Sequence, residues 1–435
     1  MANLRPFQVV ILAVFGIAAL LGLVLFATFQ GFGRTEQDIG TVVIWGTLSK
    51  RQVDPALTEL KTLHKEFAGV SYVEKSPDTL DADIANAIAS GSGPDLVLLN
   101  QEHLVAERAR LNVIPSASIS ERVYRDTYLP IFDIYLTEGG TYGIPLLVDP
   151  LVLYYNRSAL ENAGVVTPPA TWEAIAGLAP SLTRLTDAQT VSRSTIGMGT
   201  YENVTNAHAL LSTLFFQAGQ TITARTAQGI RSTLGTEAGS ALGVPTAESA
   251  LTFYTEFANP GKTVYTWNRS LPTSRLAFAT GDVVFYPGFA SERTTIAATN
   301  PNLTFDVAAI PQPGTASTRV TYGRAYALVI PKASRNAGGA YETARALAAA
   351  DVLPTLARTT GMAPGVRSLL TPLTTDLYEP VYYPQALIAR GWLSPRPAAL
   401  DSVFAAMIGN VNSGRMKPRE ALDTADQALN AALLQ

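Results

Sequence analysis

The chain reads as an α/β protein built on an open, mainly parallel sheet, long enough for two domains and preceded by one membrane-crossing helix. Three observations predict this. Between Thr41 and Leu99, apolar residues alternate between runs suited to strands and the three-to-four spacing of helices. The 435 residues exceed what one hydrophobic core normally serves. Phe7–Phe29 carries no charge, and about 20 apolar residues cross a hydrocarbon core.

Taken in order, the first element is the apolar span. A cleavable leader has a shorter apolar region of roughly 7–15 residues followed by a small-x-small site, and Ala27-Thr28-Phe29 fits such a site poorly. An uncleaved anchor is therefore expected. Arg5 before the span and the mixed Arg34, Glu36 and Asp38 after it favour a cytoplasmic N-terminus, with the remainder extracytoplasmic. With no cysteine in the sequence, a lipid-modified cysteine is not the tether. Gly31–Gly40 is a polar linker.

Thr41–Trp45 is a strand by its β-branched run, and Val53–Ala68 a helix with Leu57, Leu60, Leu63 and Phe67 on one face. Val70–Glu74 is a strand, Leu80–Ser90 a helix stopped by Gly91-Ser92-Gly93-Pro94, and Asp95–Leu99 a third strand. Ligands bind such sheets beyond the carboxyl ends of the strands, here Gly46–Lys50 and Asn100–Glu102. Leu146–Arg157 reads as an apolar strand pair interrupted at Asp149-Pro150; the aspartate is either a turn residue or a ligand-facing acceptor. Thr171 caps a helix that begins at Trp172.

Thr183–Thr195 reads as weakly structured. Helices follow around Ala207–Ala218, Ala247–Ala258 and Ser274–Thr280, then strands at Asp282–Tyr286, Phe305–Ile310 and Arg319–Pro331. Tyr341–Ala350, Ser402–Asn412 and Pro418–Leu434 close the chain as helices, the last with proline in its first turn.

Composition excludes several classes. Thirty-two basic against thirty-five acidic residues give a net charge of −3, without the basic excess of a nucleic-acid binder. His64, His103 and His208 share no metal-ligand spacing, so no metal and no cofactor is expected. Gly91-Ser92-Gly93 precedes a strand rather than opening a helix, so it is not a phosphate loop. No nucleophile elbow is present. Asp149 and Glu202 are the one carboxylate pair to weigh as a glycosidase, but binding sites hold sugars with carboxylates too. A binding protein is expected, not an enzyme.

Five segments in this order carry a family resemblance: TVVIWGT from Thr41, GSGPDLVLLN from Gly91, the run from Tyr142 to Ile175 with YGIP, LYYNR and PPATWEAI, RLAFATGDVVFYPGF from Arg275, and NSGRMKPREAL from Asn412. The chain resembles bacterial extracellular solute-binding proteins of ABC importers, in the branch containing the maltose-binding protein. This implies a two-lobe periplasmic-binding-protein-like fold of type II. Residues 41–147 with 324–359 would form the first lobe, and residues 148–321 with 361–435 the second, after an anchor and linker at residues 1–40.

The resemblance also marks cleft positions. They are Thr47, Leu48 and Ser49 after the first strand, Asn100 and Glu102 after the third, Asp149, Tyr201, Glu202, Tyr322, Arg324 and Met362. Phe289 stands where the maltose-binding relative stacks a tryptophan, and Leu99 replaces another, which argues against maltose itself. Sugars need aromatic faces and a few placed polar groups, and Trp267, Tyr286, Tyr382 and Trp392 are further candidate platforms. Arg324 either pairs with an acidic neighbour or anchors a planar anion. The implied role is a monomeric, membrane-anchored binding subunit that delivers a solute, foremost a carbohydrate, to ABC permease subunits. The alternatives are a sensor module of the same fold and capture of an anionic solute.

Overall fold

The protein is described here by a computed structural model covering residues 39–188, 190–236, 246–372 and 376–434. The apolar span Phe7–Phe29 lies outside the described residues. Among the described residues, no helix is long and apolar enough to cross a membrane.

The opening segment folds as its alternation predicts. Strand β1 (Val42–Gly46) leads into helix α1 (Lys50–Leu63), strand β2 (Val70–Glu74), helix α2 (Leu80–Ala89) and strand β3 (Leu96–Asn100). β1 pairs in parallel with both β2 and β3. α1 starts three residues earlier than its apolar face suggests, because Gln52 Oε1 accepts from the Ser49 amide and hydroxyl at the helix start.

The largest departure from expectation is in the middle of the chain. The expected strand pair around Asp149-Pro150 is one 14-residue strand, β4 (Gly143–Asn156). Residues 143–150 of β4 pair with strand β8 (Thr321–Val329), whereas residues 151–155 pair with strand β6 (Val283–Phe289). Pro150 falls where β4 changes neighbours. A proline lacks the ladder N–H and is tolerated where pairing is interrupted, so this one marks the switch without ending the strand.

Among the described residues an 11-stranded sheet results, with β2, β1, β3, β8, β4, β6 and β5 (Val191–Ile196) consecutive along its main path. β7 (Phe305–Ala308) pairs antiparallel with the second part of β4. Within the Thr183–Thr195 stretch, expected to be weakly structured, Arg184–Leu185 forms a short strand that pairs antiparallel with β5.

Helices cover the sheet. α3 (Trp172–Leu182) is capped by Thr171, whose hydroxyl accepts from the Ala174 amide at 3.2 Å. α4 (Ala207–Gln217), α5 (Thr246–Glu256) and α6 (Ser274–Thr280) follow, and then α7 (Ala337–Leu347), α8 (Leu353–Thr360), α9 (Pro397–Asn412) and α10 (Pro418–Leu433). The buried side chains form two clusters. One includes Ile44, Leu57, Val97 and Leu328 around β1, β3 and β8. The other includes Leu153, Ile196, Val284 and Phe285 around β5 and β6. The architecture is α/β with two lobes, and the long strands β4 and β8 run between the halves of the sheet.

Candidate functional site

A cavity of about 750 Å³ lies where strand ends from both halves of the sheet meet. Thr47 and Leu48 reach it from the end of β1, and Asn100 and Glu102 from the end of β3. Phe289 ends β6, and Ser291 and Glu292 follow in a 3-10 turn, Ala290–Glu292. Arg275 comes from the start of α6, and Asp149 and Arg324 from the strands that run between the halves. This is the place that strand-end topology predicts for a ligand.

Glu102 organises the base of the cleft. Its Oε1 receives the Arg324 Nε at 3.0 Å and the Tyr322 hydroxyl at 2.8 Å. His208 Nε2, from α4, lies 3.1 Å from the same oxygen. Burial works against the Glu102 charge, but Arg324, His208 and Tyr322 together outweigh it and hold the carboxyl well below its usual range. Glu102 is therefore ionised. Burial likewise opposes the Arg324 charge, and Glu102 more than compensates. The guanidinium also lies over the Phe289 ring, 4.2 Å from its centroid, a cation–π arrangement that fixes its plane. A carboxylate and a guanidinium thus stand side by side, both lining the cleft. Such a pair accepts from one hydroxyl of a polyol and donates to the next.

Asp149 is neither a turn residue nor a free acceptor. It sits within β4, opposite Arg324 in the register, and is 1% exposed. Its Oδ1 accepts from the Ser291 amide at 3.0 Å and its Oδ2 from the Ser291 hydroxyl at 2.6 Å. Burial pushes its carboxyl up to about 7, against the lowering influence of Ser291 and Arg324. Asp149 lines the cleft, but its bonds tie β4 to the turn after β6.

Glu292 is similarly occupied. Its Oε1 accepts from the Asn206 side chain at 2.7 Å and from the Phe289 amide at 3.1 Å, and its Oε2 from the Tyr286 hydroxyl at 2.6 Å. The Arg275 guanidinium stands 3.7 Å from Glu292 and is 44% exposed at the rim.

Of the positions marked in the sequence, the structure brings Thr47, Leu48, Asn100, Glu102, Asp149, Phe289, Arg324 and Met362 to this cavity. Five others it does not. Ser49 is used at the start of α1. Tyr322 lies beneath, 1% exposed, supporting Glu102. Trp267 is a core residue, 1% exposed, its indole N–H donating to Asn203 Oδ1 at 3.1 Å. The Tyr201 hydroxyl donates to Asp401, and Glu202 pairs with Arg269 at the surface at 3.3 Å.

The other candidate platforms are also placed elsewhere. Tyr286 and Tyr382 are buried. Trp392 donates to Ser212 Oγ at 3.1 Å and stacks on Phe404. It lines a separate concavity of about 580 Å³ that also touches Ile131, Ile134 and Arg225. Asp133 and Arg390 line that concavity as well, and Asp133 is paired with Arg125 at 2.6 Å.

Sequence reasoning missed Gln52, Asp78, His103, Arg275 and Tyr326, which line the cleft. Tyr326 had a usable signal: it lies two residues after Arg324 on one strand, and alternate residues share a face. Arg275 and Asp78 are ordinary polar residues near helix starts, with nothing in their pattern to single them out.

The fold and its cleft define a two-lobed α/β binding protein. Residues 58–377 match the bacterial extracellular solute-binding protein family, and the chain belongs to that family. Among solved structures, a cyclo/maltodextrin-binding protein complexed with maltotetraose superposes with a TM-score of 0.73 at 15% identity, covering 92% of this chain and 98% of that one. The ABC transporter solute-binding protein of Thermotoga lettingae, bound with α-D-tagatose, superposes at 0.66 with 22% identity, covering 91% and 100%. The GacH receptor of Streptomyces glaucescens, solved with acarbose, gives 0.70 at 17% identity, covering 91% and 99%. A Brucella abortus relative named for binding aligns over 97 residues at 25% identity, which is 22% of this chain; the chain thus spans about a quarter of that protein, 24%.

Proposed function

We propose that the chain is the extracytoplasmic solute-binding protein of an ABC-type importer, that it captures a carbohydrate between its lobes, and that Phe7–Phe29 anchors it in the membrane. The observation that carries the carbohydrate reading is the Glu102–Arg324 pair in the cleft, a carboxylate beside a guanidinium above the Phe289 ring. A polyol offers hydroxyls to both groups. The solved relatives named above were crystallised with maltotetraose, tagatose and acarbose, which supports the same class.

The pair speaks against the anionic alternative. Arg324 is already neutralised by Glu102, so an anion entering here gains a donor but meets the carboxylate. Capture proceeds by population shift: the solute touches both halves of the cleft only when the lobes approach, and so favours the closed state. The carboxylates nearest the base are bonded to protein donors, which suits holding a solute rather than cleaving it. Membership of the extracellular solute-binding family supports delivery of the solute to permease subunits.

Mass spectrometry of the full chain, purified from its own source in mild detergent, tests this. The expected result is a carbohydrate released on denaturation and recovered unchanged after prolonged incubation. A non-carbohydrate solute, or turnover of the sugar, overturns the reading.

A further inference from the structure

A second cavity of about 620 Å³ adjoins the cleft. Pro77, Asp78, His103 and Pro397 line both. Beyond them the second cavity runs between α2, at Asp81, Ala82 and Ala85, and the start of α9, at Ala398 and Asp401. The two spaces are therefore neighbours joined at His103, and the second is walled by a helix from each side of the molecule.

His103 is the residue that gives the junction chemical character. It is 8% exposed, and its Nδ1 lies 2.8 Å from Asp81 Oδ1. A carboxylate at Nδ1 fixes that nitrogen as the donor. Nε2 is then left as an acceptor in the neutral ring and a donor in the charged one. Among the described residues, Nε2 has no hydrogen-bonding partner. A buried imidazole with one nitrogen held and the other unpartnered, lining two cavities at once, is a preset contact for a ligand that passes from one to the other.

Size supports the same conclusion. Cavities of about 300–1,000 Å³ bury most of a drug-sized ligand, and the first cavity alone is in that range. Its neighbour is surplus to a single sugar ring. Apart from the shared His103 imidazole, the residues lining the second cavity include no aromatic ring; Asp78, Asp81, Asp401 and Arg396 line it instead. That wall suits hydroxyls rather than an apolar aglycone.

We infer that the ligand is an oligosaccharide that lies across His103, with one end at the Glu102–Arg324 pair and the other between α2 and α9. The inference rests on the carbohydrate reading of the same cleft and names its length and path. His103 serves as a length-selecting contact.

Calorimetric titration of the full chain tests it, with α-1,4-glucan and β-1,4-mannan series from one to four units as probes. Affinity is expected to rise at least tenfold from one unit to three. Two variants separate the cavities. Ala82 is exposed and lines only the second cavity, so Ala82→Tyr plugs that space on a helix surface that tolerates tyrosine. It is expected to erase the gain from added units while leaving the shortest binder within about twofold. His103→Ala is expected to weaken the longer probes by about tenfold, the loss of one good hydrogen bond, with His103→Gln restoring part of it. Equal affinity for one and three units, or a length dependence that survives Ala82→Tyr, overturns the inference alone. Absence of binding to every carbohydrate overturns the carbohydrate reading beneath it as well.

Discussion

At the scale of single residues, the cleft depends on which polar groups are already committed. Glu102 spends one oxygen on three neighbours, and Asp149 spends both of its oxygens on Ser291. The sequence placed Glu102 beside a strand end, because strand boundaries follow from local pattern, but put Asp149 at a break where the structure has one continuous strand. It did not reveal their partners, since His208, Ser291 and Tyr322 lie more than a hundred positions away in the chain. The same limit explains Trp267: a tryptophan reads equally as a platform or as core, and only the distant Asn203 decides. One consequence is measurable. The Asp149 carboxyl stands at about 7 in the folded protein because of burial, against ~3.9 in an unfolded chain. Between these values the folded state binds more protons than the unfolded one, so stability falls as pH rises from about 4 to 7. Thermal unfolding of Asp149→Asn is expected to show a smaller difference in melting temperature between pH 5 and pH 8 than wild type. An unchanged difference would show that Asp149 does not titrate in this window.

At the scale of elements, the alternating opening segment was the most legible part, because a two-residue period and a three-to-four period are hard to confuse. β4 was the least. Its apolar run contains Asp149-Pro150, and nothing local distinguishes a broken strand from one that changes neighbours. The GMGTYEN loop, Gly197–Asn203, is a similar case. Gly199 adopts a positive φ of 104°, and a Cβ there would stand 2.6 Å from the Ala258 backbone nitrogen. This loop presents Asn203, which bonds the Trp267 indole and the Asn268 and Leu271 carbonyls. Gly199→Ala combines backbone strain with a backbone clash, each costing on the order of 1–3 kcal/mol. Chemical denaturation should show a lower midpoint with an unchanged slope, the slope reporting the exposed surface. A midpoint equal to wild type would mean the loop accommodates a side chain.

At the scale of the whole molecule, the α/β class and the two-lobed architecture were both legible, the first from periodicity and the second from ordered motifs spread along the chain. What periodicity cannot encode is that strand ends distant in sequence converge on one cavity. That convergence is the basis of the central claim, that a solute is held by both halves at once. Thr47 reaches the cleft from the end of β1 and Arg275 from the start of α6. Among the described residues neither side chain makes a hydrogen bond, and the Arg275 ion pair with Glu292 is long at 3.7 Å, with Arg275 44% exposed. The most direct measurement is a calorimetric titration of wild type, Thr47→Ala and Arg275→Ala with the carbohydrate recovered from the purified protein. Each substitution is predicted to weaken binding about fivefold or more, the loss of roughly one hydrogen bond, at an unchanged melting temperature. If either variant binds as wild type does, the solute is not gripped from both sides and the account is contradicted.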